Sequence, residues 1–343
     1  MKRKALILTG IGISLALAGC TSQSLEGQQE QLNFFGMDTY MTITAYGEDA
    51  GEAVEEAQAR ILELEKEWSV TDEGSQIYQA NHSGGTPVTL TDDTKDVVSF
   101  ALEMAEETGG ALEPTIYLVL EAWGFTTDEN RIPASDEIQA LLEHVGYEQV
   151  SLNGNELTLP EGVELDLGAV GKGYAGDAAA EVLKEQGVTS ALLDLGGNIQ
   201  AVGKRPDGTG WRIGIRNPFG DGQMGMLLAS DCAVVTSGSY ERYFIGEDGK
   251  EYTHIIDPET GYPVDNGLVS VSIITEEGKV ADALSTSMFV KGLEGAEEYW
   301  KEHQDFEMIA VTEDGDIYVT EGIEDQFTLG DSFENMELHI ITS

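Results

Sequence analysis

Alternating and helical patterns of hydrophobic residues predict the elements of the first third of the chain. Residues 39–46 alternate between polar and apolar side chains, which predicts a β-strand. Residues 51–68 carry apolar side chains at every third or fourth position, which predicts an amphipathic helix. A second such pattern follows Thr91, a suitable N-cap, and shorter helices are predicted near Pro114 and from Ser135. The first third is therefore expected to be mainly helical.

Strand patterns dominate beyond residue 190. Short apolar runs separated by turn sequences, among them Asp248-Gly249, predict several strands and hairpins. Two helices interrupt them, at residues 281–292 and 294–303. Because helices and strands do not alternate strictly, we expect an α+β fold in which helices cover a mixed or antiparallel sheet.

The stretch from Glu164 to Asp177 combines a predicted strand, a glycine-rich turn and the start of a helix. Apolar residues flank Asp166, and Gly168, Gly171 and Gly173 follow. Glycines at a strand-to-helix turn let the backbone approach a ligand closely, and the first amides of a helix are free to bind an anion. The turn is therefore a candidate phosphate-binding site.

The glycine pattern leaves more than one interpretation open. Residues 171–176 spell GxGxxG, and Asp194 closes the next strand about where a dinucleotide-binding fold has its ribose-binding carboxylate. A tight turn that only packs the helix against the sheet explains the glycines equally well. A Walker A loop is excluded, because Gly173 follows Lys172 where that motif requires serine or threonine.

The N-terminal residues resemble an export signal. Residues 1–19 have a basic start, a short apolar middle and small residues before Cys20. Residues 17–20, LAGC, resemble the lipobox of bacterial lipoproteins, in which the cysteine is lipidated, and an ordinary signal peptide with an incidental cysteine is the alternative. We therefore expect lipidation at Cys20, a flexible tether over residues 20–32, and anchoring to the outer face of the bacterial cytoplasmic membrane.

The chain is strongly acidic. It has 18 basic and 63 acidic residues, and removal of residues 1–19 leaves 15 basic residues and a net charge of −48. Such a surface repels nucleic acids and anionic lipids, so neither is an expected partner. After Cys20 only Cys232 remains, which excludes a disulfide framework and predicts a buried thiol.

Three short segments of the C-terminal half carry candidate chemistry. Asp282, Ser285 and Thr286 share one face of a predicted helix and offer oxygen ligands for Mg²⁺, although helix capping explains them as well. The turn at residues 236–240 is rich in hydroxyl groups and either lines a polar pocket or is a simple β-turn. His254 precedes a turn sequence, where a lone histidine is more often a structural hydrogen-bonding group than a base.

A family resemblance rests on four longer motifs. They are DLGAVGKGYAGD (166–177), SGSYERYF (237–244), THIIDPETGYPV (253–264) and ADALSTSMFVKG (281–292). In this order they closely resemble the FAD:protein FMN transferases of the ApbE type. The resemblance extends from about Asn33 to the C-terminal hairpin. It implies a single domain over residues 33–343, with FAD in a cleft between two lobes.

The resemblance also implies a reaction and its ligands. In that family FAD is cleaved at its pyrophosphate, and FMN is joined by a phosphoester to a threonine of a target protein, with release of AMP. The implied ligands of Mg²⁺ are the Ala169 carbonyl, the Asp282 carboxylate, the Ser285 backbone and the Thr286 hydroxyl. The implied FAD-binding residues are Met37, Thr71, Tyr78, Leu112, Glu113, Pro114, Asp166, Lys172, Ser237, Gly238, His254, Ile256 and Asp257.

Two positions depart from the pattern of the family. Relatives commonly have tyrosine at the position of Thr71, so an aromatic stack on FAD is either missing or supplied by Tyr78. Relatives usually have aspartate at the position of Glu113, followed by a Thr-Val-Gly-Pro run that this chain replaces. Both departures concern the FAD pocket rather than the metal site.

The implied mechanism assigns roles to a small set of residues. Asp282 holds the metal, Lys172 adds a positive charge, and His254 or Asp257 is the nearest base for the acceptor threonine. Membrane redox subunits are the usual acceptors in the family. An FAD hydrolase that produces FMN and AMP, and a flavin-binding lipoprotein without catalytic activity, are the alternative functions.

Overall fold

The computed structural model of the protein describes residues 28–127, 129–333 and 336–343. The predicted signal, Cys20 and the first part of the predicted tether lie outside these residues. Within them, no helix is long and apolar enough to cross a membrane.

Strands and helices follow one another without strict alternation. In chain order the strands are β1 (Gln29–Gly36), β2 (Thr39–Tyr46), β3 (Val88–Thr89), β4 (Ser151–Asn153), β5 (Glu156–Thr158), β6 (Ser190–Leu195), β7 (Ile199–Gly203), β8 (Trp211–Arg216), β9 (Gln223–Ala229), β10 (Ala233–Gly238), β11 (Tyr243–Ile245), β12 (Glu251–Thr253), β13 (Leu268–Thr275), β14 (Glu307–Thr312), β15 (Ile317–Thr320), β16 (Phe327–Leu329) and β17 (Leu338–Ile341). The helices are α1 (Ala50–Trp68), α2 (Gln76–Asn81), α3 (Asp92–Glu107), α4 (Tyr117–Trp123), α5 (Ser135–Leu142), α6 (Gly171–Glu185) and α7 (Gly278–His303).

A nine-stranded sheet forms the centre of the fold, in the order β1-β2-β6-β7-β10-β13-β14-β15-β17. Its neighbouring strands are antiparallel, except that β15 and β17 run parallel. Helices cover this mixed sheet, which confirms the predicted α+β class.

Hydrophobic residues fill both faces of the sheet. Helices α1, α6 and α7 pack on one face, where Val235 and Ile273 join the main core. The neighbouring residues Val234 and Ile274 join a second core with the three-stranded sheet β16-β9-β8. Because successive residues of a strand point to opposite faces, the central strands β10 and β13 are buried on both sides.

The helical patterns of the first third are confirmed. On its buried face α1 carries Val54, Ala57, Ile61, Leu64 and Trp68. Thr91 caps α3, since its hydroxyl oxygen accepts a hydrogen bond from the amide of Thr94 at 3.3 Å. The spacing of apolar residues was sufficient to predict these two long helices.

Two predicted boundaries need correction. β1 begins at Gln29, because its first four residues pair with the end of β2, so this part of the predicted tether belongs to the sheet. Residues 164–167 do not form the predicted strand. Instead, Leu165 exchanges two hydrogen bonds with the side-chain amide of Asn81, at 2.8 and 2.9 Å, and the amide takes the place of a neighbouring strand.

Helix α7 contains a break where two separate helices were predicted. Gly292 has φ 73° and ψ 175°, which is outside the helical region. The side-chain amide of Asn266 donates to the carbonyl oxygens of Phe289 and Val290 at 2.8 and 3.3 Å. These carbonyls lose helical partners at the break, so Asn266 satisfies them from outside.

A small lobe, formed by α4, α5, the β11–β12 hairpin and residues 254–263, packs beside the main sheet. Its core residues are Val119, Trp123, Ile138 and Ile256. The ring of Trp123 lies 5.2 Å from that of Tyr252 in the hairpin. Its indole nitrogen donates to the carbonyl oxygen of Gly261 at 2.8 Å, which ties α4 to the turn that follows His254.

Candidate active site

Helices α6 and α7 meet at their N-terminal ends without space for a side chain. The amide of Gly173 donates to a carboxylate oxygen of Asp282 at 2.8 Å. A Cβ atom at Gly173 would overlap the carbonyl oxygen of Gly278 and lie 2.7 Å from the Cβ atom of Asp282. Glycine is therefore required at position 173 for this contact between two of the motifs.

Asp177 fixes the start of α7 from the side of α6. Its carboxylate accepts hydrogen bonds from the amides of Gly278 and Lys279 at 2.6 and 2.9 Å. These amides belong to the first turn of α7, which has no internal partners for them. Burial raises the pKa of Asp177, and the two hydrogen bonds oppose that shift. Asp282 and Asp177 together hold the two helices in one relative position.

The carbonyl group of Ala169 lies just before α6. The first amides of a helix have no partner within it, and the amide of Gly173, which is one of them, is bound by Asp282 instead. The Ala169 carbonyl accepts no backbone hydrogen bond from the described part of the chain. The next amide, of Tyr174, pairs regularly with Val170 at 3.0 Å. The carbonyl oxygen of Ala169 is therefore available to a ligand.

Three hydroxyl groups extend this cluster toward β10. The hydroxyl oxygen of Ser237 lies 2.9 Å from that of Ser285 and 3.4 Å from that of Thr286. The Ser285 hydroxyl donates to the backbone carbonyl of Asp282 at 2.9 Å. Since Ser285 uses its proton there, Ser237 is the donor between the two serines. The predicted turn at residues 236–240 and the oxygen-rich helix face are therefore in contact.

The oxygen atoms of this cluster suit magnesium. No three acidic, cysteine or histidine side chains gather as a metal site within the described ranges, so a cation here must combine one carboxylate with neutral oxygens. Asp282, Ala169 and Thr286 offer a carboxylate, a free carbonyl and a hydroxyl. Mg²⁺ prefers such oxygen ligands and completes its shell with water or substrate phosphate.

Basic side chains concentrate beside this cluster. Burial raises the pKa of Asp166, and the charges of Lys172 and Arg242 oppose the shift. The same two cations, together with Arg216, act on Glu241, whose pKa is also raised by burial. In a chain with 18 basic and 63 acidic residues this concentration is a local exception. It favours the binding of an anion such as a phosphate.

His254 is held as a neutral imidazole. Its Nδ1 atom lies 3.1 Å from the carbonyl oxygen of Arg242, which can only accept, so Nδ1 carries the proton and Nε2 keeps its lone pair. Burial lowers the pKa of His254 to about 4, and the charges of Arg242 and Lys172 act in the same direction. At neutral pH the half-buried ring can therefore accept a proton at Nε2.

Asp257, the other predicted base, is used inside its own turn. Its two carboxylate oxygens accept hydrogen bonds from the Glu259 amide and the Thr260 hydroxyl, both at 2.9 Å. Its backbone amide donates to the carbonyl of Tyr262, also at 2.9 Å. Of the two predicted bases, His254 has the freer acceptor atom. Asp257 therefore stabilises its own turn through these hydrogen bonds.

The carboxylate of Glu113 is hydrogen-bonded to the loop around it. Its carboxylate accepts hydrogen bonds from the amide and hydroxyl of Thr115, at 2.9 and 2.6 Å, and from the amide of Tyr147, at 3.0 Å. The Thr115 hydroxyl in turn accepts from the amide of Gly146 at 2.8 Å. Burial raises the pKa of Glu113, and its hydrogen bonds oppose the shift. The longer side chain at this position thus has three partners within the protein.

The residues beside Glu113 connect this loop to the glycine-rich turn. Leu112 is buried in the main core. The carbonyl of Pro114 accepts a hydrogen bond from the amide of Asp166 at 2.8 Å. The predicted FAD-binding residues of these two segments are therefore brought together.

Two other predicted FAD-binding residues pack against neighbours. The side chain of Ile256 belongs to the core of the small lobe. Gly238 lies against the ring of Tyr240, where a Cβ atom would come within 2.5 Å of a ring carbon. Both positions are therefore packed against other residues of the protein.

Met37, Thr71 and Tyr78 are not hydrogen-bonded to the metal-ligand candidates within the described residues. Met37 occupies the turn between β1 and β2 with φ 46°, and its amide donates to Glu65 at 2.6 Å. Thr71 is exposed. The ring of Tyr78 stacks on that of His82 at 4.0 Å, so one of its faces is already occupied.

Sequence reasoning missed two contributors, Asp177 and Arg242. Asp177 closes the first of the four motifs, but the amide it caps is 101 residues away, a distance that no local pattern covers. Arg242 lies within SGSYERYF. A cation beside a hydroxyl-rich turn in so acidic a chain was the available signal for it.

The chain is similar to known proteins in both sequence and structure. The sequence model of the ApbE family matches residues 37–310. The FAD:protein FMN transferase of Treponema pallidum (strain Nichols) is 33% identical over 299 residues, which cover 82% of this chain and 82% of that protein. The FAD:protein FMN transferase of Klebsiella pneumoniae (strain 342) is 33% identical over 272 residues, which cover 76% of this chain and 84% of that protein.

Solved structures resemble the chain over almost their whole length. The ApbE protein of Thermotoga maritima has a TM-score of 0.83 and 31% identity, covering 87% of this chain and 99% of that one. The flavinyl transferase ApbE of Pseudomonas stutzeri, in its apo form, has a TM-score of 0.79 and 27% identity, covering 88% and 98%.

Proposed function

The chain belongs to the ApbE family, and we propose that it is a magnesium-dependent FAD:protein FMN transferase that attaches FMN to a threonine of an acceptor protein and releases AMP. The names of its curated relatives support the transferase activity. The contact between Gly173 and Asp282 carries the proposal, because it joins the glycine-rich turn to the carboxylate of the candidate metal site.

The binding of FAD follows from the charges of the cleft. FAD carries a pyrophosphate, and most of this protein repels anions. Lys172 and Arg242 supply positive charge beside the N-terminal end of α6, and this charge favours a phosphate. We therefore place the pyrophosphate beside the glycine-rich turn, near Lys172 and Arg242.

The transfer replaces the phosphoanhydride bond between FMN and AMP with a phosphoester bond between FMN and the acceptor threonine. The hydroxyl oxygen of the acceptor threonine forms a bond to the FMN phosphorus, and the bond from that phosphorus to the AMP oxygen breaks. Nε2 of His254 accepts the threonine proton, since Nδ1 is occupied by the Arg242 carbonyl. AMP leaves as an anion.

The candidate metal ligands are Ala169, Asp282, Ser285 and Thr286. A bound Mg²⁺ would neutralise charge on the pyrophosphate oxygens. The protein contributes by holding these oxygens in place: Gly173 orients Asp282, and Ser237 orients Ser285. Positioning of this kind is the main contribution a protein makes to phosphoryl transfer.

Incubation with FAD, Mg²⁺ and a threonine-bearing acceptor protein tests the proposal. Transfer predicts flavin fluorescence on the acceptor band after denaturing electrophoresis, together with one AMP for each FMN attached. Free FMN and AMP without labelled acceptor would identify an FAD hydrolase instead. If FAD remains intact after long incubation, the protein binds flavin without catalysing a reaction.

We also propose that the protein is lipidated at Cys20 and faces the outside of the cytoplasmic membrane, where a membrane redox subunit is its acceptor. The LAGC sequence at residues 17–20 and the apolar segment before it support this location. Metabolic labelling with a fatty acid tests it: label should enter the unmodified chain and be absent from the Cys20→Ser variant.

A further inference from the structure

Asn198 is a buried side chain without a partner at the edge of the candidate site. It lies in the turn between β6 and β7 and is 7% exposed. Its Nδ2 atom is buried and has no hydrogen-bond partner among the residues that the structure describes. Buried polar atoms are normally satisfied by protein, water or ligand, so this amide requires an explanation.

A small gap lies beside Asn198. Its water-accessible volume is about 10 Å³, which is room for about one water molecule. Gly173, Gly176 and Gly278 form part of its wall, and Lys172 lines it as well. Glycines leave backbone amides uncovered, so a small polar group can approach them closely.

The gap adjoins the candidate metal cluster from both sides. On the helix side, Gly173 is the residue whose amide binds Asp282. On the strand side, the gap is lined by Val235. Ser237 lies two residues further along the same face of β10, about 7 Å away, and contacts Ser285. Asn198 is therefore within reach of a ligand that occupies the cluster.

We propose that Asn198 is a further substrate-binding residue whose side-chain amide donates a hydrogen bond to a phosphate oxygen of FAD, directly or through one water in the gap. Phosphate oxygens only accept hydrogen bonds, which matches an unpaired donor. Lys172, which also lines the gap, favours an anion at the same place. The inference rests on the proposed function, because it takes the pyrophosphate as the ligand.

ADP serves as the probe, since it carries a pyrophosphate and cannot transfer FMN. Its dissociation constant is measured by calorimetry in the presence of Mg²⁺ for the full chain and for Asn198→Ala and Asn198→Asp. Loss of one hydrogen bond to a charged phosphate weakens binding by about 10- to 100-fold. Asn198→Asp has the same size but no donor at neutral pH. We therefore expect it to lose as much ADP affinity as Asn198→Ala or more, and because it leaves no cavity this loss does not depend on lowered stability.

Ser190→Ala is the matched control. Ser190 begins β6, at the opposite end of that strand from Asn198, and its hydroxyl is also buried without a partner in the described part of the chain. We expect its ADP affinity to equal that of the unmodified protein. Equal losses in Ser190→Ala and Asn198→Ala would assign both to general destabilisation and overturn the inference.

Two further results separate this inference from the proposed function. Unchanged ADP affinity in Asn198→Ala, or full affinity in Asn198→Asp, overturns the role of the amide while flavin transfer by the unmodified protein stands. If the unmodified protein transfers no FMN, the proposed function fails, and a loss of ADP binding in both Asn198 variants still identifies a phosphate contact.

Discussion

The amide of Gly173 and the carboxylate of Asp282 lie 2.8 Å apart, although 109 residues separate them along the chain. This hydrogen bond orients the only carboxylate among the candidate metal ligands. A glycine-rich turn and an oxygen-rich helix face are each ambiguous when considered alone. Their contact makes them one site.

Asp282→Asn tests the charge at this contact. Asparagine keeps an oxygen for the Gly173 amide but removes the negative charge, so metal binding should weaken while the helices stay in place. We expect AMP release from FAD to fall by about a hundredfold or more, because a metal ligand contributes several kcal/mol. Chelation should abolish AMP release from the unmodified protein, and added Mg²⁺ should restore it. Release at the normal rate from Asp282→Asn would remove the metal assignment.

Gly173→Ala tests the close approach of α6 and α7. The added methyl group would overlap the Gly278 carbonyl, and overpacking of this kind typically costs about 1–3 kcal/mol. Gly171→Ala is the control in the same helix, because its Cβ atom would meet only a ring carbon of Trp68 at an ordinary 3.9 Å. Urea unfolding should show a lower midpoint for Gly173→Ala alone. Equal midpoints would mean that the helices have room to move apart.

The pH dependence of His254 has a defined direction. Its pKa of about 4 lies below the ordinary value of 6.5, so between these values the unfolded chain binds a proton that the folded chain does not. Its contribution to stability is therefore complete above pH 6.5 and is lost as the pH falls toward 4. Between pH 7 and pH 5, the unmodified protein should lose more stability than His254→Gln, as measured by urea unfolding. An equal loss in both proteins would contradict the low pKa.

The same pKa makes a prediction for the reaction. If Nε2 of His254 is the base, the kcat/KM of transfer should have no acidic limb near pH 6.5, because the ring stays neutral to well below that pH. His254→Gln should lower the rate of transfer by about a hundredfold to ten-thousandfold. If kcat/KM of the unmodified protein falls below about pH 6.5 and that of His254→Gln does not, the ring has an ordinary pKa and lies in a more solvated position.

Thr115→Val tests the hydrogen bonds that hold the loop around Glu113. The hydroxyl of Thr115 donates to Glu113 and accepts from the Gly146 amide. Its removal leaves that amide without this partner and takes one of three hydrogen bonds from Glu113, which should cost about 1–3 kcal/mol. Thr253→Val is the control, because the Thr253 hydroxyl is buried without a partner among the described residues. Thermal unfolding should show a loss for Thr115→Val and little change for Thr253→Val. Equal effects would show that the loop does not depend on this hydroxyl.

The long helices of this fold could be predicted because their information is local. The apolar spacing of α1 and the cap at Thr91 lie within a few residues of the structure they determine. The failure at residues 164–167 had the opposite cause. The backbone of Leu165 forms hydrogen bonds with the side chain of Asn81, 84 residues earlier. An apolar pattern typical of a strand therefore occurs here in a segment that is not a strand.

The candidate site was predictable to a smaller extent. The residue types of the four motifs indicated phosphate and metal chemistry, but not which atoms were free. Glu113 and Asp257 carry carboxylates that the sequence offers to a ligand, and both are bound within the protein. The partners of Asp257 lie two and three residues later, within reach of a local turn pattern, whereas Glu113 is also bound by Tyr147, 34 residues away, which no local pattern contains.

The break at Gly292 gives α7 two mechanically separate parts. The first part carries Asp282, Ser285 and Thr286, and Asn266 terminates it by binding its last carbonyls. One extra residue in the second part would rotate the residues that follow it by about 100°. The residues before Gly292 would not be rotated. The second part is held by its own buried residues, Ala296, Tyr299 and Trp300, so the ligands of the first part keep their orientation independently of it.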